Sequence, residues 1–430
     1  MRDPRITAVH PRRVWDSRGR PTIEVEVRLA SGAHGRAIAP AGASTGSGEA
    51  VDRRDGGEPF GGFDVRRAVE AVGVEIAPLL VSRDARDQDG IDRAMITLDG
   101  TPNKSRLGAN AIVATSMAAL HAAAADAGLP LWRHLAADRP VRLPLPEIQI
   151  FGGGAHAARR VDVQDFMVVC LSAKSFAEAL DHTAEVYRAA GTLMKRRGLL
   201  HGVADEGGYW PAFRSNEEAL EALVEAIEAA GFKPGSDVAI SLDVAASEFG
   251  GNGIYELALT KERLDTGRMI DLLSGWLRDY PIISIEDPMA EDDSAGLAAF
   301  TAQNGARCQI IGDDFLVTNA ARVRKAAGNG SVNAVLIKPN QAGTVTETLE
   351  ALDAGKEAGF GTIVSARSGE SEDTTIAHLS VGWDAGQLKV GSFSRSERMA
   401  KWNEVLRIEE ALGGDARLAV FPLNKADDRT

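Results

Sequence analysis

The sequence has little cysteine, no basic stripe and no long uninterrupted apolar run, and each absence removes a class of protein. Two cysteines in 430 residues, Cys170 and Cys308, cannot make a disulfide framework. Both lie in or beside apolar runs and read as buried free thiols in a reducing, cytoplasmic setting. The net charge is −13, and basic clusters such as Lys195-Arg196-Arg197 are short and belong on helix faces, which argues against nucleic acid as a partner. The start, Met1-Arg2-Asp3-Pro4-Arg5, lacks the apolar region of a secretion signal. The most apolar long stretch, from Ala109 to Leu129, is alanine-rich and interrupted by Asn110, Thr115, Ser116, His121 and Asp126. It reads as a packed helix and not as a membrane span.

What is present is enough apolar residue for a sizeable core, 44% of the chain. The chain is organised around Asn333-Ala-Val-Leu-Ile-Lys338-Pro-Asn-Gln341. Four apolar residues, Ala334 to Ile337, read as a strand covered on both faces, and Pro339, which cannot donate to a sheet, marks its end. Lys338 then stands where a buried strand stops, a costly place for a charge unless something answers it. The pattern recurs. Val238-Ala-Ile-Ser-Leu-Asp243, Ile282-Ile-Ser-Ile-Glu286 and Gln309-Ile-Ile-Gly-Asp313 end in carboxylates. Thr362-Ile-Val-Ser365 runs on to Ala366-Arg367-Ser368, and a weaker run leads to Lys389. Each interval between these ends has room for a loop, a helix and the next strand. That is the repeat of a (β/α) barrel of about 250 residues, whose reacting groups come from the C-terminal ends of its strands. The spacing predicts three carboxylates and two lysines at one mouth.

Two domains are expected: an N-terminal α+β capping domain, residues 1–140, and an α/β barrel, residues 141–430. The boundary falls near Asp138-Arg-Pro and Leu143-Pro-Leu-Pro. Residues 6–40 offer three strands. One, Thr22-Ile-Glu-Val-Glu-Val-Arg28, alternates strictly and reads as half exposed. Gly42-Ala-Ser-Thr-Gly-Ser-Gly48 is either a plain flexible turn or a mobile lid whose serine reaches a metal or phosphate. Residues 63–135 look mainly helical. Further on, 161–170 reads as a strand, and Ser175/Glu178, Ser215/Glu218 and Thr344/Glu347 are capping boxes that start helices. The tail Asn424–Thr430 is polar and reads as loose.

Asp243, Glu286 and Asp313 are hard oxygen donors with no cysteine or histidine among them, a set that suits Mg²⁺. The plainer alternative is three carboxylates paired with arginines at a barrel mouth. Two lysines beside such a site fit a polyanionic substrate, or a base whose pKa the second cation lowers.

Several motifs resemble the enolase family: Asp16-Ser-Arg-Gly19, Gly42-Ala-Ser-Thr-Gly46 and Leu98-Asp-Gly-Thr-Pro-Asn-Lys-Ser105 in the first part of the chain, and Asp205-Glu-Gly-Gly208, Ser368-Gly-Glu-Ser-Glu-Asp-Thr-Thr375, Gly386-Gln-Leu-Lys389 and Ser394-Arg-Ser-Glu-Arg398 in the second. The resemblance runs from about residue 5 to about residue 412. It implies an enolase-like (β/α)8-type barrel and a lyase that removes the proton alpha to a carboxylate and expels hydroxide from the beta carbon. Two Mg²⁺ per site are implied, in a superfamily that is the standing example of a lysine or histidine base working with that metal. Lys338 then matches the base, and Glu206 the acid that assists the departing hydroxide, with Asp165 beside them. Asp243, Glu286, Asp313 and the loop residue Ser44 match metal ligands. Lys389 matches the lysine facing the substrate carboxylate. Arg367 and Ser368 match a phosphate clamp, where a forked guanidinium suits a tetrahedral anion. His156 and Gln164 match lid and substrate contacts. Arg12 and Glu410 match an intersubunit salt bridge, which implies a homodimer.

Four positions depart from the family pattern. The histidine before the clamp arginine is Ala366, the glutamate after Gln164 is Asp165, and Asn-Gly-Gly-Ser-His is Gly152-Gly-Gly-Ala155-His156. All four shorten a side chain at the substrate end. The expectation drawn from them is a specialised enolase with an enlarged pocket, resembling carboxyphosphonoenolpyruvate synthases of phosphinate antibiotic pathways, acting on a phosphorylated or phosphonylated carboxylic acid. The alternatives are ordinary glycolytic enolase activity, or a non-catalytic binding protein on the same scaffold.

Overall fold

A computed structural model of the chain describes residues 3–423, so the tail expected to be loose lies outside the described residues. Strands β1 (Ile6–Trp15), β2 (Pro21–Leu29) and β3 (His34–Ile38) form an antiparallel sheet with β2 in the middle. The central position overturns the reading of 22–28 as half exposed. The Thr22 hydroxyl donates to the Ala39 carbonyl at 2.7 Å, and Glu24 is buried between Arg12 and Arg36 of the flanking strands. Behind the sheet lies the helix Ala109–Ala127, buried along almost its whole length. Its alanines let the backbones approach so closely that a Cβ on Gly35 would sit 2.1 Å from the Ala122 nitrogen. Shorter helices, Gln88–Asp99 and Leu131–Ala136 among them, complete this part.

The barrel follows. Its strands are β4 (Leu145–Gly152), β5 (Asp165–Cys170) and β6 (Val238–Asp243). A small antiparallel sheet intervenes, of β7 (Gly250–Gly251), β8 (Ile254–Glu256) and β9 (Arg263–Asp265). Then come β10 (Ile282–Glu286), β11 (Gln309–Gly312), β12 (Ala334–Ile337), β13 (Gly361–Ser365) and β14 (Gly386–Ser392). The eight close in the order β4-β5-β6-β10-β11-β12-β13-β14. From β6 onward the pairs are parallel, as the strand–helix repeat predicts, but β5 runs antiparallel to both β4 and β6. The connection from β4 to β5, residues 153–164, carries one turn of 3₁₀ helix at Gly154–Ala157 and not the crossover α-helix that usually joins parallel strands. Residues 161–164 lie outside the strand, and the Val161 and Gln164 carbonyls accept from Gly154 and Gly153 of that connection.

The capping boxes form as read. Ser175, Ser215 and Thr344 accept the N–H of Glu178, Glu218 and Glu347 at 3.0, 3.1 and 3.2 Å. They open the helices Phe176–Arg196, Asn216–Ala229 and Val345–Glu357 around the barrel. Cys170 and Cys308 are free and buried, and burial pushes both thiols up to about 12. Ile311, Ala334, Leu336 and Ile363 pack as an apolar cluster of their own. A buried polar network links the other strands, joining Glu147 to Ser241 and Gln387, Gln387 to Gln309, and Gln309 to Ser284. Burial pushes the Glu147 carboxyl up to about 7 against the nearby charge of Lys389. Among the described residues no helix is long and apolar enough to cross a membrane.

Candidate active site

Lys338 follows β12 and is the N-cap of the short helix Pro339–Ala342, whose proline sits where a missing N–H costs least. Its backbone N–H donates to the Thr318 hydroxyl at 2.9 Å. Thr318 and its neighbour Val317 have φ of +50° and +44°, a strained backbone for β-branched residues that the surroundings hold in place. The Lys338 ammonium is hydrogen-bonded to Asp313, just past β11. Asp243 and Glu286 are register partners at the ends of β6 and β10. Lys389, from β14, donates to them at 2.8 and 2.7 Å and lies 3.6 Å from Asp165. The three carboxylates and two lysines therefore do converge at one end of the barrel, all buried.

Burial opposes the charge of Lys389, but Asp243 and Glu286 outweigh it and hold the ammonium well above the usual lysine range. Lys338 is also raised, burial being outweighed by Asp313 despite the charges of Arg367 and Lys389. The second cation does pull Lys338 down, as expected, but the hydrogen-bonded carboxylate outweighs it. For Asp313, burial pushes up and the Lys338 charge pulls further down, leaving it below its ordinary value. Burial and the charge of Asp243 raise Glu286 well above its ordinary value against the pull of Lys389.

The three expected metal ligands are less tightly gathered than anticipated. Among the described residues, the trios whose ligand atoms lie within 4.8 Å of one another are His156, Asp165 and Glu206, and Asp287, Asp313 and Asp314. Lys389 draws Asp243 and Glu286 to itself, while Asp313 is bonded to Lys338 and, at 2.9 Å, to Gln341. Asp287 accepts the N–H of Asp313 and of Asp314 at 2.9 and 2.8 Å, which pulls that turn inward. The donors still fit a hard divalent cation: all are carboxylate oxygens, and Glu286 Oε1 is buried without a hydrogen-bond partner.

Over these strand ends lies a small cavity of about 20 Å³. Lys338, Lys389, Asp243, His156, Gln164 and Glu206 line it. Ser44 of the glycine-rich loop, Ala366, Arg367 and Ser368 complete the wall. Glu286, Asp313 and Asp165 are absent from that lining and stand behind it. Asp165, expected among the catalytic groups, is hydrogen-bonded to Gln149 and, at 3.3 Å, to His156. Its burial is outweighed by the His156 charge, so the carboxyl is held down at about 2. Glu206 and Asp165 outweigh burial in turn and lift His156 to about 9. Asp165 thus stays ionised as a holding group for His156, Gln149 and Lys389. The Glu206 carboxylate lies 3.9 Å from His156 Nε2.

Gln164 donates to Asp243 at 3.1 Å. The Ser44 carbonyl accepts from Arg367 at 2.9 Å, and the Ser368 hydroxyl accepts from Arg18 at 3.3 Å. The loop touches Arg367 so closely that a Cβ on Gly42 would sit 2.0 Å from the guanidinium, which is why that position is glycine. Buried Arg398 donates to the carbonyls of Arg367 and Val390 at 2.6 and 2.8 Å, which gives the 394–398 motif its structural role. The sequence reading assigned no role to Glu49, Gln149, Asp287 or Gln341. Glu49 pairs with Arg367, and Gln149 ties Asp165 to the Glu206 loop by accepting from the Gly208 N–H at 2.8 Å.

A barrel whose strand ends carry buried carboxylates, two lysines and an arginine around one small cavity defines an acid–base enzyme of anionic, metal-assisted substrates. Comparison with known proteins narrows the class. The description "Enolase, N-terminal domain" matches residues 6–135, and "Enolase, C-terminal TIM barrel domain" matches residues 140–425. The chain is also 51% identical over 416 residues to "Enolase 1" of Desulfitobacterium hafniense (strain Y51), covering 96% of this chain and 95% of that protein. The chain belongs to the enolase family and is a carbon–oxygen hydro-lyase of the enolase superfamily.

Proposed function

We propose that the chain eliminates water from 2-phosphoglycerate to give phosphoenolpyruvate, as a Mg²⁺-dependent enzyme. The observation that carries this reading is the placement of Lys338 and Glu206 in the wall of one cavity that Lys389 and Arg367 also line. Lys338 takes the C2 proton, and the pair of electrons left on C2 forms the C2–C3 double bond. The C3 hydroxyl leaves with a proton from Glu206, as water. Lys389 faces the substrate carboxylate, and Arg367 with Ser368 takes the phosphate. Asp243, Glu286 and Asp313 would hold one metal ion and Ser44 would contribute to a second. When bound, Mg²⁺ supplies Lewis-acid stabilisation of charge on the substrate carboxylate. Lys338 can act as a base only once Asp313 no longer holds its proton, since that carboxylate is what raises it.

In this reading residues 1–140 cap the barrel and carry the loop that closes on the substrate, and the enzyme works as a cytoplasmic homodimer. The specialised reading, a phosphonate enzyme of an antibiotic pathway, finds no support in the comparisons, and the glycolytic reaction fits them better. Phosphorus NMR of 2-phosphoglycerate incubated with the protein and Mg²⁺ tests the proposal. Conversion to phosphoenolpyruvate that stops on chelation supports it, and no conversion refutes it.

A further inference from the structure

We propose that Glu49 is a gate on the phosphate site: its carboxylate occupies Arg367 where the substrate phosphate binds, and phosphate displaces it. This rests on the reading of Arg367 as the phosphate contact. Glu49 grips the guanidinium with both oxygens, at 2.9 and 3.2 Å, and both side chains are buried. The two remaining hydrogen bonds of the Arg367 guanidinium are with Asn340, at 3.1 Å, and the Ser44 carbonyl, at 2.9 Å. The forked edge that suits a tetrahedral oxyanion is thus filled by a carboxylate from the loop itself. A phosphate dianion carries more charge and more acceptor oxygens than a carboxylate, so it is the stronger partner for the same fork.

Glu49 also sets the shape of its own loop and reaches the base. Its Oε1 accepts the Gly46 N–H at 3.0 Å and the Gln341 amide at 3.2 Å. That same amide donates to Asp313 at 2.9 Å, and the Gln341 oxygen accepts from the Thr318 hydroxyl at 2.7 Å. Thr318 in turn holds the Lys338 N–H. A continuous chain of hydrogen bonds therefore runs from the loop, through Glu49 and Gln341, to the carboxylate that holds the base. Displacing Glu49 from Arg367 removes one of the loop's two ties to that guanidinium, the Ser44 carbonyl being the other, and changes what Gln341 touches, so phosphate arrival and loop position form one equilibrium.

Titration calorimetry with inorganic phosphate, in millimolar Mg²⁺, tests the gate on wild type, Glu49→Gln and Arg367→Met. Glu49→Gln keeps the shape and removes the competing charge, so phosphate should bind about tenfold more tightly, while Arg367→Met should lose it. With 2-phosphoglycerate, KM of Glu49→Gln should fall without a rise in kcat, a split that a merely structural role would not give. Phosphate binding unchanged or weakened in Glu49→Gln, but lost in Arg367→Met, overturns the gate and leaves the clamp standing. Binding indifferent to Arg367 overturns both. A second measurement leaves Glu49 intact: a fluorophore on Thr45→Cys, at an exposed loop position, should respond to phosphate in wild type and not beside Arg367→Met. No response in wild type also overturns the gate.

Discussion

Lys389→Met removes a charge that three buried carboxylates share, at nearly unchanged volume. In the wild type its ammonium is 2.8 Å from Asp243, 2.7 Å from Glu286 and 3.6 Å from Asp165, and every partner is at most 4% exposed at the side chain. Removing one member of a buried ion pair costs about 3–5 kcal/mol, because the charge left behind is neither solvated nor answered. Unfolding entropy of about 2.1 cal/mol/K per residue amounts to roughly 0.9 kcal/mol/K for this length of chain, so the expected fall in Tm is about 3–6 °C. The penalty depends on pH, and its sign follows from Glu286. The Glu286 pKa is raised in the folded state, so its contribution is fully present below its unfolded value and is lost as pH rises through the folded one. Without Lys389 that folded value climbs further, and the variant should recover toward wild type as the pH is lowered from 8 to 5. Scanning calorimetry of both proteins at the two pH values, without added metal, reads the effect. An unchanged Tm at pH 8 would refute the idea that Lys389 compensates this carboxylate cluster.

Three further outcomes follow from the same geometry. Ala366 lines the cavity beside Arg367, so Ala366→His should add a donor there and raise kcat/KM for 2-phosphoglycerate by about tenfold; a fall would show that the ring only obstructs. His156 is raised from 6.5 to about 9, so its stabilising contribution is fully present below pH 6.5 and is lost as pH rises through 9. Tm profiles of wild type and His156→Gln should therefore converge toward pH 10, and parallel profiles would contradict the pairing with Glu206 and Asp165. Light scattering at micromolar concentration should give a homodimer mass; a monomer mass would contradict the intersubunit reading of Arg12, which pairs with Glu24 and Glu26 in its own chain.

The strand ends were legible because burial forces a rule on them. A strand covered on both faces is mostly apolar, so a charge at its end marks the mouth, as at Asp243, Glu286, Asp313 and Lys338, whereas Lys389 lies within β14. The stop at Pro339 was legible for the same kind of reason, since proline cannot continue the ladder. The antiparallel β5 was not, because strand direction follows from the connection to β4, which lacks a crossover helix, and not from the strand's own residues. Half exposure of β2 was misread because alternation reports two unlike faces, while the flanking arginines that bury Glu24 come from other strands. Glu49, Gln149 and Gln341 gave no signal for a similar reason: each acts on a partner remote in sequence, Arg367, Gly208 or Asp313, and only the fold brings the pair together. The upward shift of Lys338 comes mainly from the charge of Asp313, whose contact no spacing predicts.

Lys338 is proposed to remove the C2 proton, and Asp243, Glu286 and Asp313 to hold metal independently of it. Proton NMR of 2-phosphoglycerate in heavy water, with Mg²⁺ and either wild type or Lys338→Ala, tests it in one experiment. The account predicts loss of the C2 proton signal with wild type and none with the variant, whose Mg²⁺ binding by calorimetry stays intact. Exchange by Lys338→Ala at the wild-type rate would contradict it.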